Sequence, residues 1–223
     1  MPMEARKSGR PRVAVLSRDL ILETALKLLD ERGEQGAGIR DIARALEVRP
    51  SALYNHISGQ DDIIAGIREL VSDRIDVSGF GNLSWDDAVR RWAWSYRSAF
   101  AAHPPTIAIM VVTPLAPKSR TSQMYEAVCA GLIEAGWPEH MVVNLIVSLE
   151  CFILGAALDH VAPDNMMDPG EDETAPNFVA AYTARASGLP SPEARPTDIV
   201  FEMGLEAMLA GLTATFQQLK GES

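Results

Sequence analysis

Apolar side chains recur at helical spacing along most of the chain, and no segment alternates between apolar and polar residues as a half-buried strand does. This periodicity predicts an all-α fold. The proline- and acid-rich stretch 162–176 is expected to form a mobile loop between two helices. The predicted helices span residues 17–32, 39–46, 50–56, 60–74, 85–102, 105–111, 120–135, 138–160, 177–186 and 197–220.

The first three predicted helices are short and closely spaced. Three glycines between positions 33 and 38 indicate a loop, and residues 47–49 leave room only for a tight turn between the second and third helices. Pro50 suits the first position of the third helix, because the N–H that proline lacks would have no partner there. Two short helices joined by a tight turn predict a helix-turn-helix unit. The third helix carries side chains that can hydrogen-bond phosphates or base edges, namely Ser51, Tyr54, Asn55 and His56.

The charge of the chain is unevenly divided. The net charge of −10 argues by itself against nucleic acid, because phosphate binding depends on Lys and Arg. Up to residue 60, however, ten basic residues outnumber eight acidic ones, and the remaining chain has ten basic and 22 acidic residues. We predict a flexible basic arm over 1–16 that contacts DNA through Arg10 and Arg12. The alternative is a free terminus whose charge is incidental.

Residues 17–64 resemble the DNA-binding domain of the TetR family of bacterial transcriptional repressors. The resemblance rests on segments 39–43, 53–57 and 61–64, which occur in the family's order and at its spacings. It implies a helix-turn-helix DNA-binding domain over 17–62. Segments of the remaining chain are similar to the C-terminal domain of the tetracycline-repressor subgroup, which implies a larger helical-bundle domain for effector binding and dimerisation over 63–223.

The resemblance also implies which residues contact DNA. Arg40 matches a position that reads a guanine, and a bidentate arginine is the commonest specific contact to guanine O6 and N7. Gln60 stands where the family usually has a lysine that contacts the DNA backbone, so one phosphate contact is weakened. The other matching positions are the entrance of the recognition helix at Arg49, Pro50, Ser51 and Ala52, its exposed side at Asn55, and the phosphate-contacting positions Tyr54 and His56.

Glu47 departs from the family pattern, which has glycine in this turn. A non-glycine residue in the left-handed conformation costs about 1 kcal/mol. Glu47 also places a negative charge near the duplex, and we expect the basic arm to compensate for it.

The effector of the second domain is expected to differ from tetracycline. Trp92, Met110 and Gly131 stand where the tetracycline-repressor subgroup grips its drug, so a metal chelate is not expected. We predict a larger, more apolar effector that stacks on Trp92 and Tyr96, with Glu150 or Asp159 as its polar anchor. The alternative is that these side chains belong to the core. The expected ligand contacts are Trp92, Tyr96, Phe100, Met110, Thr113, Met124, Glu150, Phe152 and Asp159.

The predicted helices 138–160 and 197–220 resemble the family's dimerisation helices. Two subunits would combine them into a four-helix bundle, and the alternative is that they complete a monomeric core.

Residues 141–158 are the longest apolar stretch, but Asn144, Ser148 and Glu150 interrupt it, so we expect no membrane span and a cytoplasmic location. Cys129 and Cys151 lack metal-type spacing and are expected to be buried thiols.

Together these features predict a homodimeric repressor that a small effector releases from a palindromic operator of double-stranded DNA, without a cofactor or metal. The main alternative class is a helical enzyme. His160 and Asp164 fit an H-x-x-x-D spacing in which histidine acts as a general base, but the match is weak. A second alternative is a helical interaction module that does not bind DNA.

Overall fold

The protein is described by a computed structural model covering residues 16–33, 36, 38–163, 165–188, 191 and 194–221. The described residues form ten α-helices and no strand, so the predicted all-α fold is confirmed. The predicted basic arm, with Arg10 and Arg12, lies outside the described residues. The helices are α1 (Arg18–Arg32), α2 (Ile39–Ala45), α3 (Pro50–Leu53), α4 (Gln60–Ser72), α5 (Trp85–Ala101), α6 (Pro105–Val112), α7 (Arg120–Ala135), α8 (Glu139–Asp159), α9 (Pro176–Ser187) and α10 (Pro196–Gly221).

The third helix is shorter than the sequence predicted. It ends at Leu53, and Tyr54, Asn55 and His56 continue it as a turn. The N–H of His56 donates to the carbonyl of Leu53 at 2.8 Å, which is the tighter i→i+3 pattern common at helix ends. The three polar side chains therefore follow the helix instead of lying on it.

The N-terminal helices share a small core with α4. Ile21, Ile42, Leu53 and Ile63 are completely buried there. The hydroxyl of Ser17 caps α1 by accepting a hydrogen bond from the N–H of Leu20 at 3.2 Å. These contacts make α4 part of the helix-turn-helix core as well as the connection to the second domain.

An ion pair also ties the start of α1 to the start of α4. The guanidinium of Arg18 lies 2.7 Å from the carboxylate of Asp62. Asp62 also accepts a hydrogen bond from the N–H of Ser58 at 2.8 Å. The Arg18 hydrogen bond is the main cause that lowers the pKa of Asp62 below its ordinary value.

The second domain is built around the contact between α5 and α8, with α7 and α10 packed against this pair. The far end of α4 is held by this domain, because the hydroxyl of Thr121 on α7 donates to that of Ser72 at 3.1 Å. His103, between α5 and α6, places its two ring nitrogens 2.7 Å from Asp30 and 2.6 Å from Arg74. Thus α1 and α4 both contact the second domain through side chains.

By length and composition alone, α8 and α10 could cross a membrane, with mean hydropathies of 2.2 and 1.4. The polar residues of 141–158 therefore do not exclude a span, and that argument from the sequence was wrong. The packing of α8 is a different argument against a membrane span, because Leu149, Ile153 and Ala157 are fully buried along the side of α8 that faces the bundle. Only 33% of the apolar window of α8 and 22% of that of α10 is buried within the protein.

Candidate DNA-reading surface and effector cavity

The turn between α2 and α3 has the backbone geometry that the sequence predicted. Glu47 adopts a left-handed conformation with φ of 56°. The N–H of Val48 donates to the carbonyl of Ala43 at 2.9 Å, and the N–H of Glu47 donates to that of Arg44 at 3.2 Å. This pair of hydrogen bonds is the Schellman closure of a helix, in which glycine normally occupies the left-handed position. Glu47 therefore carries strain that a glycine would not.

Replacing Glu47 with glycine is expected to raise the free energy of unfolding by about 1 kcal/mol, because glycine adopts positive φ without a steric cost. Urea unfolding followed by circular dichroism measures the difference. Glu47→Gln is the matched control, since it removes the charge but keeps the side chain that causes the strain. Equal stability of the two variants would show that the strain contributes nothing.

The polar side chains expected to contact DNA are accessible in the structure. Tyr54 is 55% exposed, and the guanidinium groups of Arg40 and Arg49 lie at the surface. Among the described residues neither arginine forms an ion pair, whereas Arg44 pairs with Asp41 at 2.8 Å. Arg40 and Arg49 are therefore available for phosphates or base edges. The remaining predicted contacts are exposed at Pro50, Ser51, Asn55 and His56 and half-buried at Ala52 and Gln60.

A cavity of about 310 Å³ lies in the second domain between α4, α5, α6, α7 and α8. Its size falls at the lower end of the range typical of small-molecule sites. Five of the nine predicted ligand contacts line it: Tyr96, Phe100, Met110, Thr113 and Glu150. The other lining residues are Arg68, Ser72, Leu115, Thr121, Tyr125, Val147, Cys151 and Leu154.

Glu150 is the polar centre of this cavity. Its carboxylate accepts hydrogen bonds from the hydroxyls of Tyr96, at 2.9 Å, and Tyr125. Burial raises the pKa of Glu150, while the two tyrosine hydrogen bonds act in the opposite direction. Burial and the nearby carboxylate raise the pKa of both tyrosines above their ordinary value. Both hydroxyls therefore remain protonated and can donate.

Arg68 enters the cavity from α4 and connects this helix to α6. Its guanidinium donates to the backbone carbonyls of Met110 and, at 2.5 Å, Thr113. These carbonyls lie at the C-terminal end of α6, where a helix has unsatisfied acceptors and a partial negative charge. Burial lowers the pKa of Arg68, although an arginine remains charged in proteins.

The other four predicted ligand contacts do not line the cavity. Phe152 follows Glu150 by two residues, about 200° around the helix, and stacks on Phe201 of α10 with ring centroids 5.3 Å apart. Trp92 is fully buried and in ring contact with Tyr96, and its indole N–H has no hydrogen-bond partner among the residues that the structure describes. Met124 is buried, and Asp159 lies at the end of α8 beside Ala162 and Met166. In this structure these residues are core or peripheral.

Arg68 and Tyr125 are cavity residues that the sequence prediction missed. Arg68 follows Ile64 by four residues and precedes Val71 by three, so it lies on the apolar side of α4. A charged residue on the buried side of an amphipathic helix was the available signal. Tyr125 had no comparable signal, because an aromatic residue among apolar neighbours also fits a core.

The geometry around His160 does not fit a general base. One ring nitrogen lies 2.9 Å from Arg97 and the other 2.8 Å from Arg195, so both nitrogens contact charged side chains of the protein and neither faces an open site. Asp164, the second member of the H-x-x-x-D pattern, lies outside the described residues.

In the part of the chain that the structure describes, no cluster of three or more His, Cys, Asp or Glu side chains could hold a metal ion. Cys151 is exposed and Cys129 half-buried, so the prediction of buried thiols was wrong for Cys151.

Comparison with known families assigns both domains. Residues 21–67 match the model of the bacterial regulatory proteins of the tetR family, and residues 80–216 match that of the tetracyclin repressor-like C-terminal domain. The second match alone covers more than half of the 223 residues. The chain belongs to the TetR family. A TetR-family protein of this kind is a DNA-binding, ligand-responsive transcriptional regulator and not an enzyme.

Relatives of this TetR-family regulator match over nearly their whole length. The class A tetracycline repressor protein from transposon 1721 of Escherichia coli is 29% identical over 201 residues, 88% of this chain and 90% of the relative. A solved TetR from Streptomyces coelicolor is 27% identical with a TM-score of 0.68, over 89% of this chain and 98% of its own. ActR of the same organism, in complex with actinorhodin, is 24% identical with a TM-score of 0.70 over 91% and 97%, and has the same fold.

Proposed function

We propose that this TetR-family regulator is a homodimeric cytoplasmic repressor, which a small, largely apolar or aromatic effector releases from a palindromic operator. The observation that carries the proposal is the cavity beside α4. The same helix contributes Ile63 to the core of the helix-turn-helix and Arg68 and Ser72 to the cavity wall. A ligand in the cavity therefore contacts α4, the helix against which the DNA-reading helices pack.

The mechanism follows from the position of α4. A dimer binds two half-sites only when its reading helices match successive major grooves, about 34 to 36 Å apart. A shift of α4 moves α1 through the Arg18–Asp62 ion pair and through their shared core. An effector that binds better when α4 is shifted stabilises a dimer that cannot reach both grooves at once.

The DNA contacts belong to the same proposal. Arg40 reads a base in the major groove, Arg49 begins the recognition helix, and Tyr54 binds phosphate with its exposed hydroxyl. The support is their accessibility and the absence of an ion-pair partner for either arginine among the described residues. The further proposed contacts are Pro50, Ser51, Ala52, Asn55, His56 and Gln60, together with Arg10 and Arg12 of the arm.

The proposed dimer uses the outer sides of α8 and α10. Val143 on α8 is 62% exposed and Met203 on α10 is 68% exposed, and Val200 on α10 is also accessible. Exposed apolar residues on two long neighbouring helices are typical of a protein interface. A second copy of the chain would cover both helices in a four-helix bundle.

Selection from a randomised duplex library followed by a salt titration tests the proposal. We expect the selected sequences to share an inverted repeat, because two identical reading helices face DNA across a twofold axis. The logarithm of the affinity for the selected duplex should then fall linearly with the logarithm of the salt concentration. For each phosphate contact we expect a loss of about 0.9 log units per tenfold increase in salt. Selection of no common sequence, together with a salt slope near zero, would remove the DNA-binding proposal.

A further inference from the structure

The Arg68 side chain is a buried cation in the wall of the cavity. Arg68 is only 9% exposed, and it lines the cavity. Within the described residues its guanidinium donates to two backbone carbonyls and forms no salt bridge with a carboxylate. Burying an arginine is costly unless an opposite charge or several acceptors compensate for it. The end of α6 supplies part of this compensation through its carbonyls.

The charged and titratable groups around Arg68 define what can approach it. Glu150 influences Arg68 electrostatically but forms no salt bridge with it among the described residues. The hydroxyls of Tyr96 and Tyr125 both donate to one oxygen of this carboxylate, Oε1. Only one terminal nitrogen of Arg68 has a hydrogen bond among the described residues, so its other N–H groups are available to a ligand.

We propose that the effector of this regulator is an aromatic acid, whose carboxylate or other oxyanion pairs with Arg68 while its rings lie among Phe100, Met110 and Leu154. This inference rests on the function proposed above and adds the chemical class of the ligand. A guanidinium binds an oxyanion through two parallel hydrogen bonds, which are stronger than those to neutral carbonyls. A cationic ligand would be repelled by the buried positive charge of Arg68 in the same cavity.

Binding of the anion also changes the contact between α4 and α6. Arg68 donates hydrogen bonds to the carbonyls of Met110 and Thr113 from the same guanidinium that would bind the effector. An oxyanion paired with Arg68 competes with these carbonyls for the positive charge of the guanidinium, so the connection between α4 and the end of α6 weakens. Pairing of the acid with Arg68 is thus a direct route from the cavity to the helix that carries the DNA-reading unit.

Two fluorescent probes that differ in one group test the ligand class. 8-Anilinonaphthalene-1-sulfonate carries an anionic group, and N-phenyl-1-naphthylamine has the same ring system without it. We expect the full-length protein to bind the sulfonate at least about tenfold more tightly. Arg68→Met, which keeps an unbranched apolar stem, should abolish this preference, while Arg68→Lys should retain part of it. Arg91→Met is the matched control, because Arg91 lies on α5 at the surface and pairs with Asp76.

A second variant keeps the test decisive if Arg68→Met does not fold. Glu150→Gln removes the competing negative charge from the cavity, so the preference for the sulfonate should increase severalfold. Equal affinities for the two probes in the unmodified protein, or a preference that a folded Arg68→Met variant retains, would overturn the inference. If Arg68→Met does not fold, a preference that Glu150→Gln leaves unchanged would overturn it.

Operator binding is measured on the same preparations without a probe. If the protein binds its operator but shows no preference that depends on Arg68, only the proposed ligand class is wrong. If the protein binds no operator, the proposed function itself is wrong, so the two failures can be told apart.

Discussion

Replacing Arg40 with alanine is expected to weaken operator binding by about 30-fold or more. A bidentate contact between arginine and guanine contributes about 1–3 kcal/mol, and a dimer makes the contact twice. Arg40 is exposed at the start of α2 and has no ion-pair partner among the described residues, so its removal should not disturb the fold. Fluorescence anisotropy with the selected duplex measures the dissociation constant, and circular dichroism checks the helical content.

Arg44→Ala is the control for Arg40→Ala. Arg44 lies on the same helix, carries the same charge and is exposed, but its guanidinium already pairs with Asp41 at 2.8 Å. Loss of a general positive charge would weaken binding similarly in both variants. A base contact at Arg40 should additionally relax the selection of one base pair in each half-site. If both variants bind as tightly as the unmodified protein, Arg40 has no role in reading DNA.

The sequence predicted the helix-turn-helix well because its local signals are strong. Pro50 at the start of α3 and apolar residues at Ile42 and Leu53 indicate the element types and the buried sides without any long-range information. The strained position at Glu47 followed from the resemblance to the family, which has glycine in this turn, and the structure shows Glu47 in the left-handed conformation. The end of α3 was less predictable, because a helical turn and an i→i+3 turn place the same residues similarly.

The effector cavity was harder to predict because it depends on rotation about the helix axes. Phe152 and Glu150 are two positions apart, yet one packs against α10 and the other enters the cavity. Periodicity alone does not show which of two apolar sides of α8 faces a cavity, because apolar residues lie on both sides. Trp92 illustrates the other difficulty, because a residue on the correct side of α5 is enclosed completely by its neighbours.

Replacing both Val143 and Met203 with aspartate is expected to convert the protein into a monomer. Each carboxylate would have to enter the proposed interface without a partner, and a twofold axis repeats both charges. Size-exclusion chromatography with light scattering should then give a mass of 24.2 kDa instead of twice this value. Operator affinity should fall by about 10² to 10⁴, because a monomer loses the effective concentration that dimerisation gives the second half-site.

Leu83→Asp is the matched control for the dimer variant. Leu83 is 49% exposed in the segment before α5 and belongs to neither α8 nor α10, so a new charge there should leave both mass and operator affinity unchanged. A dimer that survives both aspartates would show that another surface holds the subunits together. A monomer with full operator affinity would contradict the mechanism itself, because an effector could not act by changing the separation of two reading helices in a protein that needs only one.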